Sequence, residues 1–257
     1  MTVKASGKTR EQFLRDARQY DTSGAFQNSL ESMLERRIEG EPVAYIVGEW
    51  EFFGLPLTIT KDVMIPRVDS EVLATAAIML LRKHDGARVI DLCSGSGCLG
   101  LAIAAHVLSC RVVLADNSQR TLAVARGNIL RNSLTRTVTN IEVDALEPPP
   151  PLLGSFDMIV SNPPYIPSGD IAGLDASVRD YEPLSALDGG PDGLRFYRNI
   201  ATNWASVLKD GGILAFECGI GQSHAVRAIM MLAGFQEITT YKDTLGIERV
   251  ITGIKGT

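Results

Sequence analysis

Ser161-Asn162-Pro163-Pro164-Tyr165 is the stretch of this 257-residue chain whose residue types most plainly suit chemistry. Amide and aromatic amine nitrogens have their lone pair delocalised into a π system. They become nucleophiles only when a site binds the NH2 group in its plane and aims the lone pair at an electrophile. The Asn162 side-chain oxygen can accept one N–H, and the Pro163 backbone carbonyl the other. Both bonds strengthen as the nitrogen moves toward tetrahedral geometry, so they stabilise the transition state more than the ground state. Pro163 and Pro164 stiffen the backbone that carries the two acceptors. Tyr165 can stack on the planar group. A proline-rich turn with Asn162 merely capping it is the bland alternative.

A second motif can supply the electrophile. Asp91-Leu92-Cys93-Ser94-Gly95-Ser96-Gly97-Cys98-Leu99-Gly100 follows an apolar run and opens a helical pattern. Glycines at such a turn let backbone approach a ligand, and the helix start offers unpaired N–H groups. Gly95–Gly100 also satisfies the dinucleotide fingerprint GxGxxG, which is weak alone. Asp91 separates the two readings. An anionic pyrophosphate gains nothing from a carboxylate there, whereas the amine and sulfonium of S-adenosylmethionine do. Asp116 suits ribose hydroxyls, and Asp144, followed by Ala145, can meet an adenine amine. S-adenosylmethionine is the favoured ligand; a nicotinamide or flavin nucleotide and a purely structural turn are the alternatives.

These residues need a sheet to bring them together. Short apolar runs at 88–92, 111–115, 141–143, 156–160 and 213–217 predict strands. Helical patterns over Cys98–Val107, Gln119–Leu130 and Tyr197–Leu208 alternate with them. Alternation of this kind predicts an α/β fold with a mostly parallel Rossmann-like sheet covered on both faces. Runs at 235–241 and 248–254 predict a closing antiparallel hairpin. Upstream, Phe13, Leu14 and Ala17, then Leu30, Met33 and Leu34, fall at helical spacing. Glu41-Pro42 stops that region. Trp50–Phe53 and Leu55–Ile59, around Gly54, predict a β-hairpin linker. The organisation expected is a helical region at 1–45, a linker at 46–67 and the main domain at 68–257.

Composition sets limits. Apolar residues make up 45% and charged residues 21%, as in ordinary globular chains. The net charge of -5 argues against a broad basic face for nucleic acid. Arg120, Arg126, Arg131 and Arg136 read more simply as a solvated helix face. His84, His106 and His224 show no metal-ligand spacing, so no metal is expected. The four cysteines form no CxxC pair and read as small hydrophobes in a reducing cytoplasm. No apolar stretch reaches the length of a membrane span.

Five segments together resemble the HemK/PrmC family, protein-glutamine N5-methyltransferases that modify peptide chain release factors. Residues 36–48 (RRIEGEPVAYIVG) look like the family linker, and Ile65–Glu71 (IPRVDSE) like its IPRPDTE segment. Asp91–Gly97 resembles its DLGTGSG loop, and Asn162–Tyr165 is its NPPY. Residues 178–197, beginning VRDYEPLSAL, look like the segment that follows. NPPY alone is shared with adenine-N6 methyltransferases; the rest is specific to the glutamine family. The resemblance implies a seven-stranded class I methyltransferase sheet behind a small helical domain and a hairpin. It implies a donor site of Cys93–Gly97, Asp116, Asp144, Ala145 and Asn162, an acceptor site of Asn162, Pro163, Pro164 and Tyr165, and a release factor as protein substrate. Two departures stand out. Cys93 replaces a loop glycine, so a positive φ there would be strained. The helical region before the linker looks shorter than the family's, which shifts expected docking toward the hairpin and main domain. Adenine-N6 methylation of DNA or RNA, and a non-catalytic binding module, are the competing readings.

Overall fold

The computed structural model describes residues 1–15, 24–82 and 84–256. The N-terminal region holds α1 (Thr2–Ala5), α2 (Arg10–Arg15), α3 (Gly24–Ile38) and α4 (Val43–Val47). Of the predicted helical positions here, Ala17 lies outside the described residues. α3 has no fully buried residue: Leu30 and Met33 are half-buried and Leu34 is exposed. α4 differs, because Ala44, Tyr45 and Ile46 are buried and the Tyr45 hydroxyl donates to the Val63 carbonyl at 2.7 Å. The boundary expected between residues 45 and 46 therefore falls inside a helix that packs into the main core.

The expected hairpin forms from β1 (Glu49–Phe52) and β2 (Leu55–Thr58), paired antiparallel. Phe53 and Gly54, at φ 51° and 77°, both adopt the left-handed conformation that a two-residue turn matched to strand twist requires. An extended stretch through Pro66 leads to α5 (Ser70–Leu81), a helix the strand–helix reading had passed over. Its pattern is apolar on most sides (Leu73, Ala74, Ala76, Ala77 and Leu81 are all buried), so it carries little helical periodicity.

The main domain runs β3 (Arg88–Leu92), α6 (Cys98–His106), β4 (Arg111–Asp116), α7 (Gln119–Arg131), β5 (Val138–Glu142) and β6 (Phe156–Ser161). It continues through α8 (Ala176–Arg179), α9 (Arg195–Asn203), β7 (Leu208–Glu217), α10 (Ser223–Leu232), β8 (Phe235–Lys242) and β9 (Glu248–Lys255). The seven strands lie in the order β5-β4-β3-β6-β7-β9-β8. All pairs are parallel except β7 with β9 and β9 with β8, which close the sheet as the expected antiparallel hairpin. Three expected bounds shift. β5 begins earlier than predicted because Val138 already pairs with Val112. The helix expected to reach Leu208 ends as α9 at Asn203, and a short 3-10 turn over Trp204–Val207 completes it. β7 starts at Leu208, which pairs with Phe156 across a register shift. Apolar side chains on the two faces form separate clusters. One packs under α5, α6 and the linker, the other under α9 and α10.

The order reverses at β3. β4 lies on one side of it and β6 on the other, and such switch points open a crevice at the carboxyl ends of the strands. Both motifs fall there, one after β3 and one after β6.

Candidate functional site

At that crevice lies an open cleft whose space, adjoining solvent included, is about 900 Å³. Of the expected donor residues, Cys93, Ser94, Gly95, Ser96, Asp116, Asp144, Ala145 and Asn162 line it, as does Pro164 from the acceptor set. The loop geometry follows from its sequence. Gly95 and Gly97 sit at φ 55° and 83°, and Gly97 caps α6. Close packing also constrains Gly100, where an added Cβ would come within 2.3 Å of the Leu114 side chain. Cys93 is at φ 59°, so the left-handed conformation filled by glycine in the resemblance is held here by a side chain that pays a steric penalty for it.

The carboxylates are held by backbone. Asp116 Oδ2 accepts from the Gly95 N–H at 3.0 Å, and its Oδ1 from the Ser118 N–H at 3.2 Å. Asp144 Oδ1 accepts from the Leu146 N–H at 2.9 Å. Burial pushes the Asp116 carboxyl above its ordinary range despite the Gly95 and Ser118 bonds. Asp91, expected as a carboxylate near the donor's amine and sulfonium, has its side chain fully buried behind the loop and does not itself line the cleft. One oxygen accepts from the Gly100 N–H at 2.9 Å; the other has no partner. Burial pushes its pKa up to about 7, against the pull of the Gly100 bond. The physical reason is position: the β3 residue two before the loop faces the α6 side of the sheet, not the crevice. Gly97 is likewise off the wall, packed toward Leu114 and Leu101.

On the acceptor side Asn162 lines the cleft and its Nδ2 donates to Ser70 Oγ at 3.2 Å. Pro163 is buried and does not line the wall. Tyr165, expected to stack on the acceptor, also stands off the wall. Its ring is half-buried against the α9–α10 cluster, and its backbone carbonyl accepts from Gln222 Nε2 at 2.8 Å. Burial pushes its phenol up to about 12. Close glycines enforce this placement: a Cβ on Gly193 would lie 2.3 Å from the Tyr165 carbonyl, and one on Gly189 2.8 Å from the Pro164 carbonyl.

Several wall residues were not anticipated. Asp62, Val63, Met64 and Pro66 come from the stretch after the hairpin, Ser70 from the start of α5, and Pro183, Ser185 and Ala186 from the segment before α9. Distant contacts seat them. Asn128 on α7 accepts from the Thr58 N–H at 2.6 Å and donates to the Thr58 and Ser96 carbonyls at 3.1 and 2.9 Å, tying the hairpin to the glycine loop. Thr121 donates to the Asp62 carbonyl at 2.9 Å. Arg67 pairs with buried Glu182, and the Tyr181 hydroxyl donates to the Glu39 carbonyl at 2.9 Å. Arg131, read as part of a solvated face, instead pairs with Glu49 of the hairpin at 2.8 Å. Glu217, the last residue of β7, and Gln222 beyond it were missed altogether. A charged residue ending the apolar run 213–216 was the available signal.

Among the described residues no group of three or more His, Cys, Asp or Glu side chains could hold a metal ion, and no helix is long and apolar enough to cross a membrane. Cys110 and Cys218 are buried as expected of small hydrophobes. Cys93 and Cys98 are half-buried on the cleft wall, where burial first, then the nearby carboxylates, raise both thiols, Cys98 to about 12.

Two family models match the chain: the PrmC N-terminal domain over residues 4–48 and the methyltransferase small domain over residues 69–173. The release factor glutamine methyltransferase of Geobacter sulfurreducens is 42% identical over 86% of this chain and 76% of its own. That of Caulobacter vibrioides is 39% identical over 99% of this chain and 87% of its own. Among solved structures, a methyltransferase from Pyrococcus furiosus superposes with a TM-score of 0.58 at 17% identity. The match covers 88% of this chain and all of that one, and it speaks for the fold.

Proposed function

This chain belongs to the release factor glutamine methyltransferase family, and from that premise we propose that it methylates the side-chain amide nitrogen of a glutamine in a peptide chain release factor, with S-adenosylmethionine as donor. One observation carries the reading: the glycine loop after β3 and Asn162 after β6 line the same cleft.

The residues present fit that donor. Asp91 keeps one buried oxygen without a partner, and so does the Ser94 hydroxyl. Asp91 and Asp116 are both pushed upward by burial, the mark of carboxylates lacking a nearby positive charge. A cationic amine and sulfonium would supply it. Ser94–Ser96 and the α6 N-terminus would hold the methionine end, with Asp91 acting through the loop from behind. Asp116 would accept from the ribose hydroxyls, and Asp144-Ala145 would meet the adenine. When bound, S-adenosylmethionine supplies an electrophilic methyl group.

The chain's own task at the acceptor is orientation. Asn162 Oδ1 would accept one glutamine N–H and the carbonyl of Pro163, which is buried between the lining residues Asn162 and Pro164, would have to reach the other, which fixes the amide plane and directs the lone pair across the cleft. Holding both partners in line accounts for much of the rate without a strong base. The amide nitrogen becomes acidic only as it is alkylated, so its proton leaves to solvent afterwards. Tyr165, clamped by Gln222, braces the loop. In this reading the region up to residue 48 contributes to docking the protein substrate.

The test offers labelled donor with an intact release factor, a ribosomal protein and DNA side by side. One added methyl on the release-factor glutamine, abolished when that glutamine is substituted, is the expected result. Label on DNA as N6-methyladenine, with the factor unmodified, would replace this reading with the adenine one.

A further inference from the structure

The proposed reaction leaves a buried carboxylate beside the site without a task. Glu217 ends β7, is 2% exposed, and follows four apolar residues. β6 and β7 run parallel with Ser161 opposite Phe216, so Asn162, just past β6, and Glu217, the last residue of β7, come next side by side. Ser70, 1% exposed at the start of α5, lies beside both: its Oγ accepts from Asn162 Nδ2 at 3.2 Å, and its hydroxyl is near enough to Glu217 to stabilise the charged carboxylate. The Asn162 amide likewise lies near enough to the Glu217 carboxylate to favour its charged form. One oxygen of that carboxylate remains without a partner.

Hydrogen-bond chemistry gives this cluster a direction. An ionised carboxylate only accepts, and a primary amide donates only through its nitrogen. Glu217 therefore requires the Asn162 NH2 on its side and leaves Oδ1 for the other side, toward the cleft. Without that constraint the amide can turn over. It would then present N–H donors to an incoming glutamine NH2, and donor would face donor.

We propose that Glu217 is a positioning residue that, together with Ser70, locks the Asn162 amide with its oxygen facing the acceptor nitrogen. Its consequence for turnover rests on the glutamine-methylation reading; the Glu217–Asn162 coupling itself does not. The groups around Glu217 set its ionisation. Burial raises it to about 7, the Ser70 hydroxyl and the Arg249 charge from β9 oppose this, Asp69 before α5 adds to the rise, and the Asn162 amide lowers it slightly. Tyr165, Tyr197 from α9, Cys98 and Cys218 also face it, all with raised pKa values and so neutral near pH 7. The Tyr197 hydroxyl is committed to the Glu217 backbone carbonyl at 2.9 Å. Protonated Glu217 can donate and no longer dictates which way the amide faces.

The sharpest experiment compares kcat against pH for the wild type and Glu217→Gln, with donor affinity measured in parallel. The wild type should lose kcat as pH falls through the neutral range. Glu217→Gln should lose at least tenfold in kcat at pH 8, bind donor within threefold of wild type, and show no acidic limb. A retained limb, or kcat within twofold of wild type, overturns the assignment. Should that variant fail to fold, Ser70→Ala decides. It should lower kcat severalfold with KM nearly unchanged, and an unchanged kcat counts against the proposal. A readout independent of turnover separates this from the function itself. Carbon-13 titration of the Glu217 carboxyl should move upward in Asn162→Ala, which removes an N–H donor facing the charged form. No movement rejects the coupling, whatever the enzyme's substrate proves to be.

Discussion

The two halves of the cleft are built on different principles. The donor half is local: Asp116 and Asp144 are held by N–H groups of the glycine loop and of the turns that follow their own strands. The acceptor half is assembled from afar. Asn162 leans on Ser70, ninety-two residues away in sequence, Tyr165 is clamped by Gln222 fifty-seven away, and Arg67 pairs with Glu182 across one hundred and fifteen. A nucleotide-like donor is met by backbone that any glycine-rich strand-to-helix turn offers. Placing one amide in line with a methyl group requires side chains from several elements to agree, because a small error in angle costs rate rather than binding.

The largest effect expected is on the acceptor half alone. Asn162→Ala removes an acceptor that matters most in the transition state. It should lower kcat by about 10²–10³, the range for losing one such preorganised group. Donor affinity by calorimetry should stay within a few-fold, and near-normal turnover would refute the in-plane orientation of the nitrogen.

The matching test on the donor half is Asp116→Ala. Hydrogen bonds to a charged group contribute about 1.5–3 kcal/mol, so donor affinity should fall by roughly 10- to 150-fold. The same titration with NAD should give no heat. An unchanged donor affinity would remove Asp116 from the ribose site.

Asp91→Asn sharpens the comparison through pH. The folded protein holds the Asp91 carboxyl at about 7, well above its ordinary value. Between about pH 4 and 7 the unfolded chain therefore releases a proton that the folded chain keeps, and stability falls as pH rises through that window. Asn removes this loss. Without donor, the variant should melt higher than wild type at pH 8, by about 2–4 °C for each kcal/mol recovered, and the gap should close toward pH 4. Weaker donor binding should accompany the gain. A gap that does not change with pH would show that Asp91 ionises freely where it lies.

The smallest effect expected is from Cys93→Gly. Relief of the left-handed strain, about 1–2 kcal/mol, is offset by about 0.5–1 kcal/mol of added chain entropy. Melting temperature should shift by only a few degrees, with donor affinity retained. A large loss of donor affinity would mean that the Cys93 side chain itself touches the ligand.

Part of this molecule was settled by sequence alone. Strand runs ending in glycine or aspartate set the parallel sheet, and the two apolar runs at the C-terminus set its antiparallel closure, because alternation and turn residues are local properties. The left-handed loop position was also legible, since Cys93 stands where the resembling family has glycine, and its φ of 59° is the outcome. α5 and α10 were not legible. α5 is apolar nearly all round, and the α10 segment lies between the strand runs 213–217 and 235–241 without having been read as a helix. Tertiary structure alone decided what faces the cleft. Asp91 and Tyr165 carry suitable chemistry, yet side-chain direction along β3 and packing against Gly193, Gly219 and Gln222 turn them away from the wall. Glu217 reaches Asn162 only because β6 and β7 became neighbours in register. A sequence states which groups exist and how the chain periodically turns. The distance between groups many residues apart is set only when the two faces of the sheet are covered and the strand order is fixed.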